Sequence, residues 1–197
     1  MLIKFSRKRS EARRHRRLWI IAMAATMLSG AAYPTEPTQV QAALTELATE
    51  IKASYPSVTH LNLAQARARL GDAVFVDVRD AEEFEVSRIP GAIHIADPET
   101  LTRYAESSGK PLVLYCSVGY RSAEMAKHLQ NAGVTAVENF TGSIFAWANA
   151  GLPLENAHGA ARAVHPYGWF WGWRYLEETI TRSEVPERSG SGGRAER

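Results

Sequence analysis

The residues best suited to chemistry lie where an apolar segment of the chain gives way to a helical pattern. Cys116 follows the apolar run 111–115 and precedes the amphipathic run 121–132. Gly119 tolerates a positive φ angle, so the backbone N–H groups of the intervening loop can turn inward and form a cup for an anion. The N-terminus of the following helix adds partial positive charge to that cup. A sulfur atom there is favoured as the thiolate, its nucleophilic form. The candidate binding residues around it are Ser117, Val118, Gly119, Tyr120, Arg121 and Ser122.

The counts of cysteine and histidine narrow the chemistry further. Cys116 is the only cysteine among 197 residues, which excludes an intramolecular disulfide framework and multi-cysteine metal centres. A thiol–disulfide oxidoreductase is disfavoured as well, because this chain has no second cysteine to resolve a mixed disulfide. The six histidines are scattered without metal-ligand spacing. We therefore predict no metal and no other cofactor.

The segments that must position this loop alternate between strand and helix patterns. Apolar runs bounded by turn residues predict strands, over 58–61, 73–78, 92–95, 111–115 and 136–139. Capped or amphipathic runs between them predict helices, over 39–53, 62–70, one or two turns from 80, 97–107, 121–132 and 143–149. This alternation predicts an α/β fold, an open parallel sheet with helices on both faces, over residues 57–155. Ligands of such sheets bind at the carboxyl ends of the strands, which is where Cys116 lies.

Three motifs, in this order, resemble the rhodanese family of sulfurtransferases. They are Asp77-Val78-Arg79 with Glu83-Phe84, then Ile89-Pro90-Gly91-Ala92-Ile93, then the C-x-x-G-x-R loop from Cys116 to Arg121. The resemblance covers about residues 58–154 and implies a rhodanese-like fold. Two positions depart from the family pattern. Ser87-Arg88 stands where many members have Gly-His, and Ser143 stands where the family often has a second glycine after Thr-Gly.

The resemblance implies that sulfur is transferred in two steps. Cys116 would take the outer sulfur of a small anionic donor such as thiosulfate, hold it as a persulfide, and pass it to a cyanide or thiol acceptor. The N–H groups from Ser117 to Ser122 would stabilise the persulfide, and Arg121 would attract and position the donor. Asp77 and Arg79 would lie near the loop in a supporting role, as a salt bridge or cap.

The length of the cysteine loop distinguishes a sulfurtransferase from a related class of enzymes, the phosphatases and arsenate reductases. Arg121 lies five positions after Cys116, which makes the motif C-x₄-R. Related phosphatases and arsenate reductases have a C-x₅-R loop, whose larger cup fits a tetrahedral phosphate or arsenate. The shorter ring favours sulfur transfer over phosphoryl transfer.

The charge of the chain is divided between a basic leader and an acidic body. Residues 1–32 carry a net charge of +7, whereas the remainder carries −5. The basic stretch is followed by the apolar run 18–28 and by small residues at 29–32, which is the pattern of a secretory signal peptide. We expect export to the periplasm, or tethering to the inner membrane if the leader acts as an uncleaved N-terminal membrane anchor. The body has no basic stripe with interleaved aromatic residues, so nucleic acid is not an expected partner.

The remaining segments divide the chain around the predicted rhodanese domain 57–155. Residues 33–56 are predicted as a linker with a short helix, 156–185 as an aromatic-rich C-terminal extension, and 186–197 as a disordered tail. The extension places six aromatic residues within 165–175, which could cover an apolar face, flank the active site, meet a membrane interface or bind a partner protein in the cell envelope. The alternative function is therefore a non-catalytic rhodanese-like binding module in the envelope. A weaker alternative is redox sensing by the thiolate.

Overall fold

A computed structural model describes residues 38–183 of the chain. The predicted leader 1–32 and the predicted tail 186–197 lie outside the described residues. Five strands form one sheet, and they are β1 Thr59–Leu61, β2 Val74–Asp77, β3 Ile93–His94, β4 Leu112–Tyr115 and β5 Val137–Phe140. Their order is β1-β5-β4-β2-β3, and every neighbouring pair is parallel. The predicted α/β fold with an open parallel sheet is confirmed.

Helices cover both faces of this sheet. They are α1 Gln39–Ser54, α2 Leu63–Ala68, α3 Ala81–Val86, α4 Pro98–Ser108, α5 Tyr120–Asn131 and α6 Ser143–Asn149. Leu112 and Leu114 of β4 pack in one apolar cluster with α4 and α5, whereas Val113 and Tyr115 pack in another with α1, α2 and α6. This alternation follows the two-residue period of a strand. It explains why β4 is apolar at every position, since both of its faces are buried.

Local signals in the sequence determine where the helices begin. Asn62 and Gln65 form a reciprocal capping box, each side chain accepting the other residue's backbone N–H at 2.9 Å. The Asp97 carboxylate accepts the N–H of Thr100 at 2.7 Å, and Pro98 occupies the first helical position. These caps also set the lengths of the loops that join the strands to the helices.

The chain beyond α6 forms further elements that the sequence analysis did not predict. They are β6 Leu154–Asn156, β7 Gly159–Ala161, β8 Ala163–Val164, α7 Trp169–Tyr175 and β9 Thr181–Arg182. β6 and β7 form an antiparallel hairpin, and β8 pairs with β9 in parallel. These elements are short and owe their position to tertiary contacts, for which a local pattern gives little signal.

The aromatic extension is partly packed and partly exposed. Val164 and Leu176 are buried in the same cluster as α1 and α6. Trp169, Phe170 and Trp173 instead leave 80%, 51% and 64% of their surface exposed. Covering the domain therefore accounts for only part of its aromatic content. Within the stretch 38–183, no helix is long and apolar enough to cross a bilayer.

Candidate active site

Cys116 lies directly after β4, at the carboxyl edge of the central strand of the sheet. Its side chain is buried, with 1% of the residue exposed. The backbone N–H of Gly119 donates to Cys116 Sγ at 3.1 Å. One N–H of the predicted donor loop, the third after the cysteine, therefore contacts the sulfur.

The carbonyl groups of the loop show how this cup is held open. The carbonyl oxygens of Cys116, Ser117 and Val118 accept hydrogen bonds from the N–H groups of Ile144, Phe145 and Gly142, respectively, at 2.9–3.2 Å. The C=O and N–H of one planar peptide unit point in opposite directions. The N–H groups of Ser117, Val118 and Gly119 therefore point away from α6, toward the side on which Sγ lies. We call the backbone of residues 116–121 the cysteine cup.

Gly119 meets two requirements that exclude a side chain. Its φ is +110°, a conformation that L residues with a Cβ adopt at a cost. A Cβ at this position would lie 3.1 Å from Thr141 Cα and 3.2 Å from the Gly142 nitrogen. Because both neighbours are backbone atoms, neither can rotate away. The glycine thus permits both the turn of the cup and its close approach to the loop before α6.

Arg121 is held by a partner that the sequence analysis did not assign to it. Its Nη1 donates to Glu83 Oε2 at 2.8 Å and its Nη2 donates to Glu83 Oε1 at 2.9 Å. Nη2 also donates to the Ser117 hydroxyl at 3.1 Å, which in turn donates to Glu83. Asp80 lies farther away, at 3.7 Å from Nη1. The guanidinium is therefore anchored to a carboxylate from α3, instead of being a free cation within the cup.

This pair shifts the ionisation of both groups. Burial opposes the charged form of Glu83, but the hydrogen bonds and charge of Arg121 outweigh it and hold the pKa of this carboxyl below its ordinary value. Burial likewise opposes the charge of Arg121, while Glu83 and the nearby Cys116 raise the guanidinium's pKa. Both groups are therefore charged at neutral pH, and their charges offset each other.

Asp77 and Arg79 form a second ion pair beneath the site. The two side chains are fully buried and meet at 2.6 Å between Arg79 Nη2 and Asp77 Oδ2. Nη2 also donates to the carbonyl of Ser87 at 2.6 Å, and the guanidinium lies over the ring of Tyr115. Burial opposes the charge of Arg79, but the Asp77 carboxylate raises its pKa. These contacts fix the turn after β2 to the chain before the Ile-Pro-Gly-Ala segment, which is a structural role.

Ser122 and Tyr120 occupy different surroundings, although both belong to the predicted binding set. The Ser122 hydroxyl lies 3.6 Å from Cys116 Sγ, but it donates to Asn139 Oδ1 at 2.6 Å. The Asn139 amide then donates to the carbonyl of Gly119 at 3.1 Å. Ser122 therefore braces the cup from behind, and its single proton is engaged with Asn139. Tyr120 is 46% exposed and packs edge-on against Tyr55.

Ser143, one of the two departures from the family pattern, contacts the backbone of Cys116. Its hydroxyl accepts the N–H of Cys116 at 3.0 Å and donates to the carbonyl of Phe140 at 2.8 Å. Its φ is +50°, in the left-handed region where glycine is usual. The family's glycine at this position thus has a conformational reason, and serine adds two hydrogen bonds there.

The C-terminal extension reaches the same site. The Cζ of Arg121 lies 4.4 Å from the centre of the Tyr167 ring, within range of a cation–π contact. Sequence reasoning placed Tyr167 only within an aromatic segment of several alternatives, because no spacing rule links it to Arg121. Within residues 38–183, no group of three or more His, Cys, Asp or Glu side chains is placed to hold a metal ion.

Fold and site together define an α/β domain whose single cysteine lies in the loop between a central parallel strand and a helix, with a backbone N–H donating to its sulfur. A family model described as "Rhodanese-like domain" matches residues 61–150. The chain is 36% identical over 93 residues to a thiosulfate sulfurtransferase GlpE of Actinobacillus succinogenes, covering 45% of this chain and 80% of that relative. It is 30% identical over 97 residues to a thiosulfate sulfurtransferase GlpE of Vibrio cholerae, covering 48% and 91%.

Among solved structures, a thiosulfate sulfurtransferase from Pseudomonas aeruginosa aligns with a TM-score of 0.48 and 26% identity, over 58% of this chain and 23% of that one. The chain belongs to the rhodanese family, as the motifs of its sequence predict. Its relatives by sequence include proteins named as sulfurtransferases, which supports a sulfurtransferase role for it.

Proposed function

We propose that this protein transfers sulfane sulfur through a persulfide on Cys116. The observation that carries the proposal is the 3.1 Å hydrogen bond from the Gly119 N–H to Cys116 Sγ, in a loop where the carbonyl contacts turn the N–H groups of Ser117 and Val118 away from α6 as well. This arrangement stabilises negative charge on sulfur before and after a second sulfur atom is attached. A cysteine buried only for packing does not require a ring of donors.

The first half of the reaction loads the cysteine. The Cys116 thiolate attacks the outer sulfur of a donor such as thiosulfate, a new S–S bond forms, and the S–S bond of the donor breaks. Sulfite leaves with the electron pair of that bond, so that a thiolate and a dianion become a persulfide anion and a dianion. No external oxidant or reductant is needed.

The second half of the reaction transfers the sulfur from Cys116 to the acceptor. A thiophilic acceptor, cyanide or a thiolate, attacks the terminal sulfur of the persulfide. The bond from Cys116 to that sulfur breaks, and its electron pair returns to Cys116. One cysteine is sufficient for both halves, which agrees with the single cysteine of the chain.

Mass spectrometry of the purified protein tests this proposal directly. After incubation with thiosulfate and removal of excess donor, the intact mass should rise by one sulfur atom, and cyanide should return it to the starting value with formation of thiocyanate. The matched control is Cys116→Ser, which removes the only thiol of the chain. Absence of the adduct on the wild type, or an equal adduct on the serine variant, would contradict the proposal.

The exposed aromatic side chains of α7 favour one alternative, a non-catalytic binding module in the cell envelope. The two functions differ in their need for the nucleophile. The Cys116→Ser variant is expressed in a strain that lacks the protein. If the protein is a binding module, this variant should restore the wild-type phenotype; if it is a sulfurtransferase, it should not. Loss of complementation on Trp173→Ala, with sulfur transfer unchanged, would assign a binding role to α7.

We also propose, from the pattern of residues 1–32, that the protein works outside the cytoplasm. Fractionation of cells should recover it from the periplasm, or from the inner membrane if the leader is retained. Recovery in the cytoplasm of a strain with intact export would contradict this location.

A further inference from the structure

The segment that carries Tyr167 lies beyond the family match at 61–150, yet it meets the active-site arginine. β8 places the chain beside α3, and the three following residues bring the Tyr167 ring over the guanidinium of Arg121. One face of Arg121 is therefore covered by an aromatic ring, while both of its terminal nitrogens donate to Glu83.

The backbone at Tyr167 is held in an unfavourable conformation. Its φ is +63°, which non-glycine residues rarely adopt. The N–H of Tyr167 donates to Nδ1 of the buried His165 at 3.0 Å, and its ring packs edge-on against Trp171. Pro166 between them is buried against Gly172, where even an added Cβ would lie only 2.5 Å from the proline side chain. Strain of this kind persists only where surrounding contacts determine it, and it recurs at functional sites.

The charges around the cysteine cup also limit what it can accept. Arg121 is neutralised by Glu83, and Arg79 by Asp77. The backbone donors of the cup suit a single negative charge on sulfur, and each of these two arginine charges is already offset by a carboxylate. What is exposed beside Arg121 is aromatic surface, since the Tyr167 ring lies over its guanidinium and the residue remains 41% exposed.

We infer that Tyr167 is a specificity-determining residue of this active site, which favours monoanionic sulfur donors carrying an aromatic or other apolar group over small inorganic dianions. This inference rests on the proposed sulfur transfer. Tyr167 acts in two ways: it holds Arg121 in place through the cation–π contact, and its exposed edge offers a surface for the donor's organic group. On this inference thiosulfate still reacts with Cys116, but it has no organic group to contact Tyr167.

Three donors separate charge from shape. They are thiosulfate, a dianion without an organic group; methanethiosulfonate, a monoanion with a methyl group; and benzenethiosulfonate, a monoanion with an aromatic ring. In each case the Cys116 thiolate attacks the terminal sulfur, the donor's S–S bond breaks, and sulfite or the sulfinate leaves with the electron pair. With cyanide as the common acceptor, thiocyanate formation gives kcat/KM for each, normalised to the donor's rate with free cysteine.

The wild type should prefer benzenethiosulfonate over methanethiosulfonate by roughly five- to tenfold in normalised kcat/KM, the size of one aromatic contact. Tyr167→Phe should keep this preference because it keeps the ring. Tyr167→Leu should reduce it to near one, mainly through KM for the aromatic donor. Trp173→Leu is the matched control, since it removes an exposed aromatic ring that stacks on Trp169 and should leave the preference intact.

Two results would overturn the inference while leaving the proposed function standing. One is a wild-type ratio near one between the normalised kcat/KM values for benzenethiosulfonate and methanethiosulfonate; the other is a preference for benzenethiosulfonate that survives in Tyr167→Leu. The wild-type ratio needs no variant, so this outcome does not depend on how well a variant folds. If none of the three donors yields thiocyanate or a Cys116 adduct, the proposed function fails and this inference fails with it.

Discussion

Both terminal nitrogens of Arg121 are bound to the carboxylate of Glu83, at 2.8 and 2.9 Å. The two residues are 38 positions apart in the chain, so the pair joins the helix after β2 to the cysteine cup after β4. Glu83 also accepts the N–H of Asp80 at 3.2 Å and the hydroxyl proton of Ser117 at 2.9 Å. One buried carboxylate thus closes a helix cap, orients a loop hydroxyl and holds the arginine of the site.

Replacing this carboxylate should loosen the cup. In Glu83→Gln the guanidinium loses its charged partner, and we expect the free energy of unfolding to fall by about 2–3 kcal/mol. We expect kcat/KM for thiosulfate to fall by roughly tenfold or more, because the reacting sulfur is less well positioned. Chemical denaturation and thiocyanate formation measure the two effects. Glu82→Gln, on the exposed neighbour, should change neither.

The same pair predicts how stability responds to acid. The pKa of Glu83 is lowered in the folded protein, so the unfolded state binds the proton more readily. The stability that the carboxylate contributes is fully present above its ordinary pKa of about 4.3 and is lost as the pH falls below that value. The difference in stability between wild type and Glu83→Gln should therefore shrink on acidification. A difference that stays constant down to the acid transition would show that ionisation of Glu83 contributes nothing.

Gly119 and Gly159 form a natural test of why the cup needs glycine. Their φ angles are nearly equal, +110° and +114°, but an added Cβ at Gly159 would meet nothing within 4 Å. Gly159→Ala should therefore lower the free energy of unfolding only by the strain of placing a Cβ at positive φ, about 1–2 kcal/mol. Gly119→Ala adds a collision with the backbone of Thr141 and Gly142, so its loss of stability should be larger by roughly 1–3 kcal/mol. It should also abolish measurable sulfur transfer, whereas Gly159→Ala should retain it. Equal losses in the two variants would mean that close packing at the cup is unimportant.

The Ser143 hydroxyl should be separable from the backbone strain at the same position. Ser143→Ala removes the hydrogen bonds to Cys116 and Phe140 but keeps a Cβ at φ +50°. We expect it to lower the free energy of unfolding by about 1–3 kcal/mol and to lower kcat, because the buried N–H of Cys116 loses its acceptor. Ser143→Gly loses the same bonds but relieves the strain, so it should be the more stable of the two. If the alanine variant equals the wild type in stability and kcat, the hydroxyl does not position the nucleophile.

Much of the fold could be predicted from the sequence because its signals are local. The Asn62 and Asp97 caps, the apolar strands and the glycine after the cysteine each depend on a few neighbouring residues. The cysteine cup could be placed at the carboxyl end of a strand for the same reason. Together with the family motifs, these signals were sufficient for the α/β architecture and for the position of Cys116.

The parts that could not be predicted depend on contacts between distant segments. The motifs identify Glu83 and Arg121 but carry no geometry, so the sequence predicts that Arg121 attracts and positions the donor without predicting its pairing with Glu83. The aromatic residues of the extension follow no regular spacing, so the sequence does not predict which residues Tyr167 contacts. The elements of 154–182 have two to seven residues each, and short elements are stabilised by packing rather than by their own propensity.

His165 connects the extension to pH, and its behaviour gives the last prediction. Burial lowers the pKa of this histidine, with opposing contributions from the carboxylates of Glu83 and Glu82 and supporting ones from Arg79 and Arg121. Its neutral ring accepts the N–H of Tyr167 through Nδ1, an atom that cannot accept once it is protonated. Because the unfolded chain binds the proton more readily, this contribution to stability is complete above the ordinary pKa of about 6.5 and is lost as the pH falls below it.

The melting temperature of the wild type should thus fall between about pH 7.5 and pH 5.5 by more than that of His165→Asn, whose amide oxygen replaces Nδ1 as acceptor without titrating. His158→Asn, on an exposed histidine of the hairpin loop, should follow the wild type. Parallel pH profiles for the wild type and His165→Asn would show that the bond to Tyr167 does not depend on the protonation of His165.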